Sequence, residues 1–168
     1  MAISLGKVAV AFLLLVLVSL SSAPLFSQTP EPIRLHPKNP HYFLFRGKPT
    51  VLITSGEHYG SVLNADFDYK KYLATLAADG MNFTRIFGGS YVEVPATSFG
   101  IKRNTLAPQP GRFLAPWMRS EVGGYAGGGN KFDLSRWNPE YFRRYQEFLA
   151  EAAKAGIVVE ISLFSSTY

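Results

Sequence analysis

The apolar positions of this chain fall into a few distinct periods. At the amino terminus Lys7 is followed by an almost unbroken apolar run, Val8 to Leu20, and then by Ser21-Ser22-Ala23. One positive charge, a short apolar core and a small-residue stretch have the order of an export signal. The run is shorter than the roughly 20 residues a membrane span requires. We place the signal over residues 1–27. Pro24 disfavours cleavage after Ala23, leaving Ser27-Gln28 as the rival site, and an uncleaved anchor is the alternative. Either way the rest of the chain is expected outside the cytoplasm, secreted or periplasmic. Residues 28–40 hold Pro30, Pro32, Pro37 and Pro40 and read as an extended lead-in.

From His41 the pattern changes. His41 to Phe45 and Thr50 to Thr54 read as strands of a hairpin about the turn Arg46-Gly47-Lys48-Pro49. A polar loop follows, Ser55 to Gly60. Phe67, Tyr69, Leu73, Leu76 and Ala77 recur at helical spacing, which predicts a helix capped by Asp66 and ended by Asp79-Gly80. Met81 to Phe87 is a strand, stopped by Gly88-Gly89. Residues 88–137 show no long period and carry Pro95, Pro108, Pro110, Pro116 and the Gly123 to Gly129 cluster, so they read as one long loop, a cleft wall. Asn138-Pro139 opens a second helix to Ala155 with Tyr141, Tyr145, Phe148, Leu149 and Ala152 on its apolar face. Gly156 ends it, and Ile157 to Phe164 is an apolar strand.

Strands alternating with helices define an α/β chain with a parallel sheet and right-handed crossovers. The expected parallel strands are 50–54, 81–87 and 157–164. Such a sheet needs cover on both faces, and no helix follows the last strand before Tyr168. The expectation is therefore the front part of a larger βα fold.

Composition narrows the chemistry. Hydrophobic residues make up 47% and charged residues 17%, the opposite of a disordered chain. The absence of cysteine excludes a disulfide framework, a thiolate metal site and a thiol nucleophile. The net charge of +5 is scattered, with no basic cluster larger than a pair such as Lys70-Lys71 or Arg143-Arg144, so a solvated surface is expected and nucleic acid is not. His36, His41 and His58 lack metal-ligand spacing, and no Gly-x-Ser-x-Gly elbow is present. The glycine cluster lacks the Gly-Lys-Ser/Thr ending of a phosphate cradle. Neither a metal nor a cofactor is expected, and after signal removal no membrane association.

In parallel α/β folds ligands meet the carboxyl ends of the strands. Those ends hold Glu57, His58 and Tyr59, then Arg85 with Tyr91 and Glu93 on the following loop, then Phe164, Ser165, Thr167 and Tyr168. Polar groups beside aromatic faces suit a saccharide. Each residue also has a structural role open to it. Glu57 could order its own loop, His58 could be structural, and Tyr91 and Glu93 could support theirs. Arg85 lies within an apolar strand and needs a partner. Glu160, between Val159 and Ile161 on the adjacent strand, is the best one. Trp117 and Trp137 are either packing residues or sugar platforms.

Three segments carry a resemblance. His41-Tyr-Phe-Leu-Phe-Arg-Gly-Lys-Pro-Thr50 resembles the leading hairpin of cellulase-like glycoside hydrolases. Gly80-Met-Asn82-Phe-Thr-Arg85 resembles the Gly-x-Asn-x-x-Arg of their second strand. Lys131-Phe-Asp-Leu-Ser-Arg-Trp-Asn-Pro-Glu-Tyr-Phe142 is similar to the run before a later helix. The resemblance implies the first three βα units of a (β/α)8 (TIM) barrel over residues 41–168, preceded by the hairpin and incomplete. It implies a poly- or oligosaccharide substrate and O-glycosyl hydrolysis. Arg85 is carried over as a cleft residue, and Glu57, His58, Tyr91 and Glu93 are substrate-binding candidates by location. The family's acid/base and nucleophile glutamates, at strands four and seven, would fall beyond Tyr168. A pair about 5 Å apart gives a retaining mechanism. Two other readings stay open: a non-catalytic carbohydrate-binding or surface protein on a partial barrel, and an unrelated parallel α/β enzyme.

Overall fold

The structure is a computed structural model that describes residues 31–56, 60–89, 101, 104, 107–125 and 128–163. The expected export signal lies outside the described residues. Among those described, no helix is long and apolar enough to cross a membrane. The chain divides after Thr50 into two compact units.

The first unit holds a three-stranded antiparallel sheet of β1 (Arg34–Leu35), β2 (Phe43–Phe45) and β3 (Lys48–Thr50). Arg46 and Gly47 form the two-residue turn between β2 and β3, both at positive φ. That is the backbone hand a tight hairpin needs, and Arg46 adopts it without the freedom of glycine. The guanidinium of Arg46 lies 5.0 Å from the centroid of the Phe45 ring. The strand after the turn is Lys48–Thr50, not the expected Thr50 to Thr54, and the turn is two residues rather than four. The lead-in also does more than connect, because Arg34 and Leu35 pair with Leu44 and Phe43.

The second unit is mixed α/β. Its helix α1 (Tyr69–Ala78) is capped by Asp68, whose carboxylate accepts from the Lys71 N–H at 3.0 Å. Asp66, the expected cap, is instead held by Arg112 Nε at 2.7 Å, which moves the helix start toward Tyr69. Helix α2 (Pro139–Lys154) begins as predicted, with Asn138 at the cap and Pro139 in the first turn. Both helices end in the same way. Gly80 and Gly156 adopt left-handed backbone, and the next residues, Met81 and Ile157, donate back to Leu76 and Ala152. This closure satisfies the last carbonyls and turns each helix directly into a strand.

Those strands are β4 (Phe83–Phe87) and β7 (Val158–Ser162), paired in parallel with Phe83 opposite Val158 and Phe87 opposite Ser162. The parallel sheet is thus two-stranded, where three strands were expected. Residues 51–54 make no ladder. They are tied to β4 by Asn82, as described below. Thr84 and Ile86 on β4 are fully buried. Ile86 joins Leu73 and Leu76 of α1, Tyr141, Phe148 and Ala152 of α2, and Val62 and Leu63 in one apolar cluster. Tyr69 and Phe148 meet edge to face at 5.7 Å across the two helices.

Arg144 fastens this core. From α2 its guanidinium donates to the carbonyls of Ser61, Val62, Asn64 and Phe67 at 2.8–3.1 Å. It also lies 4.8 Å from the Tyr69 ring centroid. Burial lowers its pKa from the usual arginine value. The expected solvated pair is therefore split: Arg143 faces Glu147 at 3.6 Å at the surface, while Arg144 works inward.

The expected long loop is not structureless. Within it β5 (Trp117–Gly123) and β6 (Asn130–Trp137) form an antiparallel ribbon. Gly124, Gly128 and Gly129 adopt positive φ at its tip. Arg119 sits against three rings, with Phe132 nearest at 4.0 Å, and donates to the Asn130 carbonyl at 2.6 Å. At the other end Asn138 donates from its backbone to Pro116 and from its side chain to Ala115, fixing the ribbon to the start of α2.

Candidate functional site

Strand alternation separates the side chains of β4. Thr84 and Ile86 face the helices, so Arg85 between them projects from the other face. The parallel register places Arg85 opposite Glu160. The two meet bidentately, with Nη2 donating to Oε2 at 3.2 Å and Nε 2.8 Å from Oε1. The Nε contact is ionic and lies off the line of a straight hydrogen bond. The side chains keep 36% and 43% of their surface. The expected partner is confirmed, but the pair is half-solvated rather than buried.

Asn82, just before β4, joins three segments. Its side chain donates to the Val51 carbonyl at 2.9 Å and accepts from the Ile53 N–H at 2.7 Å. Its backbone N–H donates to the Ile53 carbonyl at 3.0 Å, and its carbonyl accepts from Val158 at 2.8 Å. One asparagine thus sets residues 51–53 and β7 on either side of β4. A side chain of this length with both a donor and an acceptor can do this, where a carboxylate could only accept.

At the carboxyl end of β4, Gly88 continues the pairing by donating to the Ser162 carbonyl at 3.0 Å. Its own carbonyl accepts from the Tyr141 hydroxyl at 3.0 Å. The first turn of α2 is thereby docked at the end of the sheet where ligands are expected. Burial, with Tyr145 alongside, pushes the Tyr141 pKa up to about 12. Tyr141 meets Phe142 edge to face at 5.1 Å, Phe142 meets Trp137 at 5.6 Å, and Trp137 stacks on Trp117 at 6.2 Å and 20°. An aromatic file therefore runs outward from the carboxyl end of β4.

Of the predicted site residues, Arg85 is seen in the position just given. Glu57, His58, Tyr91 and Glu93 lie outside the described residues, as do Tyr59 and residues 164–168. A depression of about 500 Å³ lies elsewhere, on α1, lined in part by Asp66, Phe67, Lys71, Tyr72 and Gln109. It includes neither Arg85 nor Glu160, and its Asp66 and Asp68 are committed to Arg112 and to the helix cap. Among the described residues no cluster of three or more histidine or carboxylate groups could hold a metal. Sequence reasoning missed the bridging role of Asn82, although Asn82 stood inside the quoted motif. It also missed the inward role of Arg144, for which the sequence offers no local signal.

No protein-family model matches the chain, and no curated protein does. A solved structure is similar in fold: a protein of Bacteroides vulgatus ATCC 8482 that carries a provisional glycoside hydrolase name. The likeness has a TM-score of 0.56 at 13% identity and covers 81% of this chain and 24% of that one. The chain thus spans about a quarter of that neighbour's length. At this identity the likeness establishes a shared mixed α/β fold.

Proposed function

We propose that the chain is the front part of a carbohydrate-active (β/α)8 barrel of glycoside hydrolase type, exported from the cytoplasm. In this reading residues 51–54, β4 and β7 are the first three barrel strands, and α1 and α2 are the intervening helices. The observation that carries it is the Arg85–Glu160 pair on the face of β4 and β7 opposite the helices. In a closed barrel that face points inward, toward the cleft. The fold of the solved neighbour and the three sequence resemblances support the same reading.

The chemistry assigned to Arg85 is electrostatic. A guanidinium is charged at every accessible pH. Placed near a nucleophilic carboxylate it keeps that group ionised, while Glu160 fixes its orientation. Glu57, His58, Tyr91 and Glu93 are proposed saccharide contacts. In the family the motifs resemble, the acid/base and nucleophile are glutamates of strands four and seven. The test is release of reducing sugar from a panel of plant and microbial polysaccharides by the complete gene product. Turnover, lowered at least tenfold by Arg85→Met, is the expected result. Polysaccharide binding without turnover would replace the enzyme by the non-catalytic binding protein, and neither binding nor turnover would overturn the reading.

A further inference from the structure

The depression on α1 has two walls that are held apart by printed bonds rather than by chance. One wall is α1, from which Lys71, Tyr72 and Thr75 line it, and the other carries Ala107 and Gln109. The second wall is strapped to the chain ahead of the helix. Ala65 donates to the Arg112 carbonyl at 3.0 Å and Leu114 to the Leu63 carbonyl at 2.8 Å, on either side of an antiparallel bridge between Asn64 and Phe113. Arg112 Nε then closes onto Asp66 at 2.7 Å. The space enclosed is about 500 Å³, within the roughly 300–1,000 Å³ of small-molecule sites. It lies on the opposite side of the sheet from the proposed cleft. Its Tyr72 hydroxyl meets Thr84, which is buried on the helix side of β4, whereas Arg85 projects from the other side.

The lining joins an apolar corner to one open charge. Phe67 and Tyr72 meet edge to face at 5.6 Å and 63°. The Tyr72 hydroxyl is already bonded to Thr84 at 2.7 Å, so Tyr72 offers its ring. Two rings set at an angle suit a third flat apolar group. The carboxylates are spent: Asp66 is offset by Arg112, and Asp68 by the helix start that it caps. The Lys71 backbone serves that cap and the Thr75 hydroxyl, but among the described residues its ammonium has no partner. Gln109 uses its backbone carbonyl to accept from Arg112 at 2.9 Å, and its side-chain amide is likewise unbonded among the described residues. One cation and one amide donor match a monoanion. A phosphate dianion would call for more donors, and an organic cation would be opposed by Lys71.

We propose that this cavity binds a small arylalkyl monocarboxylate, with its ring in the Phe67–Tyr72 corner and its carboxylate at Lys71, where Gln109 donates alongside. The site is independent of the carbohydrate reading, because neither Arg85 nor Glu160 takes part in it. The probes are phenylpropanoate and its neutral isostere phenylpropanamide, titrated into the complete chain at low salt and followed by ligand-observed NMR. A ligand of this size should bind with a Kd of about 1 mM or tighter. The acid should bind about fivefold tighter than the amide, since its hydrogen bond to the ammonium is charge-assisted. Added salt should narrow that difference. Lys71 is exposed on α1, so Lys71→Met should leave the circular dichroism unchanged while it removes the preference for the acid. Lys71→Arg should keep the preference. Equal binding of acid and amide would overturn the assignment, and so would acid binding that Lys71→Met leaves unchanged. Absence of binding by both probes up to about 10 mM would overturn the site altogether.

Discussion

Thr84 and Ile86 are fully buried under the helices, whereas Arg85, the residue between them, lies with Glu160 on the other face and keeps about a third of its side chain in water. The two faces of one strand pair thus follow different physics. On the helix side, removing a side chain leaves a void that close-packed neighbours fill only partly. On the other side water already screens the charges, and a half-exposed ion pair contributes little net stability. An arginine in an apolar strand is expected to be costly to strand without its partner, but that holds for a buried pair. Here the stability lies on one face, and the group proposed for chemistry lies on the other.

The largest effect should come from the helix side. Phe148→Ala removes a fully buried ring at the α1–α2 contact and should cost about 3–5 kcal/mol in denaturant unfolding. A loss under about 1 kcal/mol would mean that this face is not the core. Next comes alkaline pH. The Tyr141 pKa is about 12 in the fold, above the ordinary 10, so its contribution is complete below pH 10. It is lost as pH rises through 12, because the unfolded chain releases the proton first. The loss should reach about 3 kcal/mol. Burial raises Tyr69, Tyr72 and Tyr145 in the same direction. Urea midpoints that stay flat between pH 9 and 12 would contradict a buried Tyr141. The smallest effect is expected across the sheet. Arg85→Met should change stability by less than about 1 kcal/mol. A loss as large as that of Phe148→Ala would erase the distinction between the faces.

What could be read from sequence follows from how local the cause is. Helix α2 was legible from Asn138-Pro139 at one end, Gly156 at the other and a clear 3.6-residue period between. The Arg85–Glu160 pairing was legible because two successive strand–helix units bring their strands together in parallel. Its exposure was not, because exposure depends on what covers the second face. The β5–β6 ribbon was hidden by its bulge, which breaks strand alternation at residues 134–136, and by a glycine cluster that reads equally as a loop or a hairpin tip. The cap falls on Asp68 rather than the expected Asp66, whose carboxylate is taken by Arg112, 46 residues away. Arg144 was misread for the same reason: its acceptors are remote in sequence.

That remoteness gives Arg144 a consequence in time. Its four carbonyl partners precede it by 77–83 residues. At a synthesis rate of 5–20 residues per second, the segment from Ser61 to Phe67 leaves the ribosome roughly 4–16 s before the side chain that holds it. Joining the two closes a long loop, whose entropic cost grows only slowly with length. The cost falls at one moment, when α2 arrives. Until then the segment that leads into α1 lacks its fastening, so the first βα unit cannot finish before the second helix exists.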